Sequence, residues 1–275
     1  MLRGYYTAAS GMMTQQRRQD TLSNNIANAQ TPGYKQDQAA VRAFPELLIQ
    51  RMESKKVPTA TGGFNVPHQQ IIGSINTGVY VQETIPDFEQ GSLRETGLTT
   101  DMALINGTLP DETGGLFFTV QNNAGDVRYT RNGNFTVDGE GFLTTSEGLY
   151  VLDEAGNPIE TDGQTFNVTD EGMIQVGDQA IPIGVAYSSN VNELVKDGEG
   201  LFALDEAGQA MENARENPTI TFNVQQKFLE TSNVDTIQTM TDMMQAYRMF
   251  ETNQKVLQAY DKSMDKAVNQ IGRLT

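Results

Sequence analysis

Residues 8–35 read AASGMMTQQRRQDTLSNNIANAQTPGYK, and the way this stretch folds decides how the rest of the chain is arranged. Leu2, Tyr5, Ala9, Met12, Leu22, Ile26 and Ala29 recur at spacings of three, four and seven, interrupted by the polar run Gln15 to Asp20. That spacing predicts one helix with a narrow apolar stripe, not a helix buried on all sides. Thr31-Pro32-Gly33 ends the pattern near Gln30, because proline disfavours α geometry in the residue before it and glycine tolerates the turn that follows. Asn24, Asn25 and Asn28 each cost several tenths of a kcal/mol relative to alanine inside a helix. Either they are solvated amides at a fraying end, or they hydrogen-bond across a packed interface, where each offers two donors and an acceptor oxygen.

A second stripe lies at the opposite end. Met243, Phe250, Leu257, Met264 and Ile271 fall seven residues apart, flanked by Met240, Tyr247, Tyr260 and Val268. The spacing predicts a helix from about Asn233 to Gly272, capped by Ser232 or Asn233. Gln254 and Asp261 interrupt its second seam, so it reads as a one-sided bundle helix more than an autonomous coiled coil. The two terminal helices are expected to pair. One narrow seam returns less free energy than ordering some ~40 residues costs, so the pair is expected to be loose in a free chain and ordered against neighbours.

Between the stripes the period changes. Pro45 to about Glu53 predicts a short second helix with proline in its first turn, and Lys55 to Gly78, rich in Gly, Pro, Thr and Asn, predicts a linker or extended arm. From Val79 to about Val224 short apolar segments alternate with turn residues: Leu116 to Val120, Val127 to Thr130, Phe135 to Val137, Leu149 to Leu152, Phe166 to Val168, Met173 to Val176 and Ile181 to Tyr187. Turns such as Asp138-Gly139-Glu140-Gly141 supply the positive-φ positions of hairpins. The expected fold is α+β, with a core helix over 1–35, a short helix and linker over 36–78, a mostly antiparallel all-β domain over 79–226 and a second core helix over 227–275.

Composition narrows the function. There is no cysteine among 275 residues, which removes disulfides, thiolate zinc sites and a cysteine nucleophile. His68 is the single histidine, without a second histidine to complete a metal site. Asp138 to Phe142 superficially matches a calcium loop, but Phe142 and Leu143 stand where a ligand and the obligatory glycine belong. No nucleophile elbow, phosphate-cradling glycine loop or zinc-binding helix motif is found, so no enzyme activity, metal or cofactor is expected. The net charge of −16 is uneven: +4 over 1–60, −20 over 61–226 and 0 over 227–275. So acidic a middle repels phosphates and argues against nucleic acid as a partner. No apolar run approaches the ~20 residues of a membrane span, and no membrane insertion is expected.

Ala9-Ser10-Gly11-Met12 followed by Asn24-Asn25-Ile26-Ala27-Asn28-Ala29-Gln30-Thr31-Pro32-Gly33-Tyr34-Lys35 resembles the N-terminal signature of the bacterial flagellar rod and hook family, the axial proteins of the basal body. Leu229-Glu230-Thr231-Ser232-Asn233-Val234-Asp235 resembles that family's C-terminal entry motif, and Asp101 to Gly107 and Arg128 to Phe135 look like the β-domain of its rod members. The resemblance implies a structural subunit of the basal-body rod that polymerises through paired terminal helices into an axial tube. It also implies assembly with copies of itself and other rod and hook proteins, export through the flagellar type III apparatus, and residence beyond the cytoplasmic membrane. The expected assembly interface is the set of seam positions Leu2, Tyr5, Met12, Leu22, Ile26, Met243, Tyr247, Phe250, Leu257, Met264 and Ile271. Asn24, Asn25 and Asn28 join it as interface polar groups that the family motif implies. Leu109 to Thr113 lengthens the segment before Gly114-Gly115-Leu116, and Ala246 to Glu251 departs from the family's usual wording, which leaves proximal versus distal position open. The competing readings are an exported hydrolase of peptidoglycan and a surface adhesin or stalk.

Overall fold

The computed structural model describes residues 2–57, 64–111, 113–122, 124–198, 200–204 and 211–271. A first helix, α1 (Leu2–Ala27), and a last helix, α2 (Thr236–Lys266), bracket a β-rich middle. The chain divides into two compact units, one comprising Met1–Ser23, Ala39–Thr84 and Met240–Thr275, the other Asn24–Gln38 and Ile85–Thr239. No described helix is long and apolar enough to cross a membrane.

The first strands in chain order are β1 (Asp37–Ala43), β2 (Leu47–Val57), β3 (Phe64–Ile75), β4 (Val79–Pro86), β5 (Leu93–Glu95) and β6 (Met102–Asn106). They precede the central strand of the second unit, β7 (Gly115–Gln121), and β8 (Val127–Thr130) follows it. Successive side chains of a strand point to opposite faces, so Leu116, Phe118 and Val120 of β7 enter one cluster while Phe117 enters another. The larger cluster gathers Met102, Leu104, Phe135, Leu143, Ile159, Ile174 and Ile183 among others. On the other face Phe117 packs against Phe88 and Phe202, each with ring centroids 5.6 Å away. The main sheet is antiparallel and runs Leu194–Lys196, Leu201–Leu204, β8, β7, Tyr150–Val151, Leu143–Thr145, Phe135–Val137, with Val185–Ser188 also on β7. Two pairings carry the chain towards its end: β6 with Phe222–Gln226 and β5 with Phe228–Glu230.

In the first unit, α1 lies along the start of β4. The Thr7 and Thr14 hydroxyls donate to the carbonyl oxygens of Thr77 and Val79 at 3.3 and 3.0 Å, and Arg17 donates to that of Val81 at 3.4 Å. The carbonyls of residues 77, 79 and 81, at and just before the start of β4, thus face the side of the helix that carries Thr7, Thr14 and Arg17.

Four expectations need correction. The helix expected from Pro45 to Glu53 is strand β2, and the linker expected from Lys55 to Gly78 contains β3. The two pair antiparallel, Leu47 opposite Ile75 and Val57 opposite Phe64, with a bulge at Ile49/Gln50. Ladder hydrogen bonds between strands of similar length outweigh a weak local helix preference. His68 therefore sits in β3, opposite Glu53, and only residues 58–63 of the expected linker lie outside the described residues. Helix α1 ends at Ala27, a few residues before Gln30, in a run of turns. Helix α2 starts at Thr236, not Asn233, and its cap is Asp235, whose carboxylate accepts from the backbone N–H of Ile237 and Gln238 at 2.9 and 3.0 Å. After Lys266 the last turn, Ala267–Ile271, widens to π geometry, and Gly272 lies outside the described residues.

Candidate functional site

The three stretches of sequence that carry the resemblance meet at Glu230. Its Oε1 accepts from the Lys35 ammonium at 2.6 Å and from the Gly91 N–H at 2.9 Å, and its Oε2 accepts from Arg131 Nε at 2.6 Å. All three charged side chains are almost wholly buried. Arg131 spends its other two nitrogens on the carbonyls of Leu116 and Leu104, at 2.6 and 2.7 Å, and Lys35 donates also to the Glu89 carbonyl at 2.7 Å. A buried ionic group is tolerated when its charges are paired and its remaining polar atoms are bonded; here the one carboxylate is shared by both cations, and backbone carbonyls take the further donors named above.

The titration of the pair is lopsided. Burial by itself pushes the Glu230 carboxyl up, but Arg131 and Lys35 together more than reverse this and hold it below the usual carboxylate value. For Lys35 burial is the larger effect and lowers the ammonium below its ordinary value, since a single carboxylate offsets burial only in part and Arg131 repels it. Two cations serve one anion, so the anion is the better stabilised member.

Backbone contacts reinforce the join. Gly33 donates its N–H to the Glu230 carbonyl at 2.9 Å, and Asn233 accepts from the Gln36 N–H at 2.8 Å while donating to the Asp87 carbonyl at 2.8 Å. Gly33 sits at φ +68°, and a Cβ there would come within 2.5 Å of the Arg131 carbonyl carbon, so glycine is required on two counts.

The asparagines divide by role. Asn25, fully buried, donates to the Asp37 carbonyl at 2.8 Å and accepts from the Asp37 N–H at 2.9 Å, pairing with the backbone as a strand would. The Tyr34 hydroxyl lies 3.1 Å from Asn25 Oδ1 and 3.2 Å from Asn24 Oδ1. Burial, and then the Asp37 charge, push that hydroxyl well above the ordinary tyrosine value. Lys196 closes the turn from outside, 2.7 Å from Asp37 Oδ1, 3.1 Å from the Lys35 carbonyl and over the Tyr34 ring at 4.6 Å. Asn28 donates to Asn24, whose side chain is exposed. Asn25 therefore bonds within its own chain and has no exposed surface to offer a neighbour; Asn24 does.

The helices meet through small residues. A Cβ on Gly4 would collide with the Tyr260 hydroxyl, and one on Gly11 would come within 3.0 Å of the Asn253 amide. Seven residues forward on α1 correspond to seven residues back on α2, so at these contacts the helices run antiparallel. On α2 the most enclosed positions are Thr239 and Ala246, with Asn253 and Tyr260 continuing at sevens, a small and polar seam that an apolar count passes over. Met243, Phe250, Leu257 and Met264, the expected seam positions, are half-buried, as are Tyr5, Met12 and Ile26 on α1, whereas Leu22 is buried. Tyr247 lies off both seams and is 60% exposed. Leu2 and Ile271 have helical backbone, and their side chains fall outside the described residues. A groove of about 550 Å³ beside this seam is lined by Gln19, Asp20, Ser23, Met243, Met244, Tyr247 and Arg248.

Lys35, Arg131, Lys196 and Glu230 were not among the expected site residues. Arg131 follows directly on β8, and Glu230 closes the strand Phe228–Glu230 in a stretch expected to open the second core helix, so neither position signalled a site; nothing linear connects positions 35, 131 and 230. Chemically the arrangement is a joint: its polar atoms bond one another and nearby backbone groups, and among the described residues no group of three potential ligands could hold a metal ion.

Three family models match the chain: "Flagella basal body rod protein" over residues 6–35, "Flagellar hook protein FlgE/F/G D1 domain" over 113–176, and "Flagellar basal body rod FlgEFG protein C-terminal" over 225–271. Lys35, Arg131 and Glu230 fall one in each. Among similar proteins, the flagellar hook-basal body complex protein FlhO of Bacillus subtilis (strain 168) is 44% identical, with 100% of both chains covered. The flagellar basal-body rod protein FlgG of the same organism is 30% identical over 98% of this chain and 99% of its own. The rod protein FlgF of Caulobacter vibrioides is 30% identical over 98% of each.

Proposed function

The chain belongs to the flagellar basal-body rod protein family, and on that premise we propose how this subunit of the rod assembles: α1 and α2 pair antiparallel as a core segment and complete their burial against neighbouring subunits. The observation that carries the reading is a contrast in burial. Among the described residues, the unit holding most of both helices buries only Ala8, Leu22, Val81 and Ala246 of its apolar side chains, yet leaves Tyr6, Met13, Phe44, Ile72, Met244 and Tyr247 among many exposed. A unit with so small a buried core and so many exposed large apolar side chains is the kind that completes its burial against partners. The β-rich unit, with Phe117, Phe118, Phe135 and Phe202 fully buried, has its own core and needs no partner for it.

In this reading Tyr5, Met12, Leu22, Ile26, Met243, Phe250, Leu257 and Met264 form the seam within a subunit, and Tyr247 and Asn24 contact the next one. Leu2 and Ile271 extend the seam at its end. Partners are further copies and other axial rod and hook proteins. The acidic middle region, at −20 over 61–226, limits adhesion through like charge. Export through the flagellar type III apparatus fits a rod subunit that must cross the cytoplasmic membrane. A joint between residues 195 positions apart closes only after nearly the whole chain has passed. A hydrolase or adhesin reading gains no support from the relatives, which are named as rod and hook-basal body proteins.

The experiment is a single substitution on the exposed face. Tyr247→Glu leaves monomer stability within about 0.5 kcal/mol, as expected at an exposed helix position, and abolishes polymer formation followed by sedimentation and electron microscopy. Polymerisation at the wild-type critical concentration would refute the assignment.

A further inference from the structure

Sulfur in this chain is confined to methionine, since there are twelve methionines and no cysteine. Their placement is not even. Met13 is 60% exposed, Met240 50%, Met244 56% and Met249 50%, all on α1 or α2, whereas Met102, in the β core, is 0% exposed. Met240 and Met244 stand one helical turn apart, and Met244 with Met243 lines the groove beside the seam. A thioether on an exposed helical face meets soluble peroxide directly, and one in a packed core does not.

We propose that these four methionines are a peroxide-sensitive modification site that controls whether the subunit can assemble. The inference rests on the assembly reading above for its consequence, but not for its chemistry. The thioether sulfur attacks one oxygen of hydrogen peroxide, the O–O bond breaks, a sulfur–oxygen bond forms, and water leaves with the remaining oxygen. Sulfur is oxidised by two electrons and the peroxide is reduced by the same two. Each event turns a flexible apolar side chain into a polar, chiral sulfoxide. On the faces that assembly must bury, the sulfoxide oxygen needs a hydrogen-bond donor that an apolar neighbour does not supply. Leaving it unpaired opposes docking, and four such changes on two adjoining helices compound. Oxidation therefore acts before assembly, because a docked face excludes the oxidant.

Sequence spacing alone does not isolate these four. Met12 and Met13 are adjacent, as are Met243 and Met244, and in each pair one is half-buried on the seam side while the other is exposed. A helix turns by rather more than a quarter of a circle per residue, so neighbours in sequence take different fates.

The test uses the purified full-length chain and hydrogen peroxide. Oxidation is followed by peptide mass mapping in dilute monomer, and polymer formation is then measured on the same samples with and without treatment by methionine sulfoxide reductases. The expected result is sulfoxide at Met13, Met240, Met244 and Met249 well before any at Met102, a matching loss of polymer yield, and recovery after reduction. The variant Met13→Leu/Met240→Leu/Met244→Leu/Met249→Leu, compared with its own untreated sample, loses its sensitivity to peroxide. Equal oxidation rates at Met102 and the four would overturn the site. Full oxidation of the four with polymer yield unchanged, or a leucine variant as sensitive as wild type, would overturn its control of assembly. Failure of the untreated chain to polymerise in any condition refutes the assembly reading and removes the proposed consequence, while the mass mapping still decides the site.

Discussion

Replacing Glu230 by glutamine keeps the side-chain volume and removes one charge from the buried joint. The amide has one acceptor oxygen and one NH2 group, so it cannot reproduce the carboxylate. If its oxygen faces Lys35 and Gly91, its NH2 opposes Arg131 Nε; if it turns over, its NH2 opposes the ammonium and the Gly91 N–H. Either way a buried cation faces a donor. Breaking a buried pair from one side costs roughly 3–5 kcal/mol, which for a unit of this size lowers the thermal midpoint by roughly 6–20 °C. Lys35→Met is expected to cost less, because Glu230 keeps Arg131 and Gly91 and the burial penalty on the ammonium is relieved. The assay is urea and thermal unfolding followed by far-UV circular dichroism, with the urea m-value as a check that the same surface is exposed. The sign with pH follows from Glu230: its carboxyl is held below its value in the unfolded chain, so the stabilisation is present above the unfolded carboxylate range and is lost as pH falls through the folded value. Glu230→Gln removes that acid sensitivity. A loss under about 1 kcal/mol for Glu230→Gln, or a larger loss for Lys35→Met, would refute the account of the joint.

Other substitutions probe neighbouring links. Gly33→Ala combines a positive φ with a contact to the Arg131 backbone; it is expected to destabilise the β-rich unit by roughly 2 kcal/mol or more, read as a lower urea midpoint at constant m-value. Asp235→Ala removes the α2 cap and costs about 1 kcal/mol, seen as faster amide exchange in the first turn of α2 with the β-rich unit unaffected. Asn25→Asp puts a negative charge against the Asp37 carbonyl to which the native amide donates, so stability falls more as pH rises through the carboxylate range, whereas Asn24→Asp, at an exposed site, stays within about 0.5 kcal/mol.

How far the chain could be read in advance varied with the kind of signal. The terminal helices were visible because a 3.6-residue period over more than about twenty residues is hard to produce by chance, and most strands of the β-rich unit were visible because glycine and aspartate turns separate alternating runs. The hairpin of β2 and β3 was not, since Leu47 to Glu53 has no firm period and its strand state depends on a partner segment further along the chain. The small and polar seam of α2 was hidden for a related reason: Thr239, Ala246 and Asn253 are unexceptional in composition, and only the burial of the first two and the close approach of Gly11 to Asn253 set them apart.

By itself the sequence determined the class of fold, the two terminal helices and the absence of thiol chemistry, because each depends on local periodicity or on composition. Tertiary structure alone decided that Lys35, Arg131 and Glu230 form one buried joint and that Asn25 bonds inward while Asn24 faces solvent. Charge pairing and burial depend on distance in space, and positions 35, 131 and 230 become neighbours only when the turn before β1, the end of β8 and the strand before α2 have been brought together.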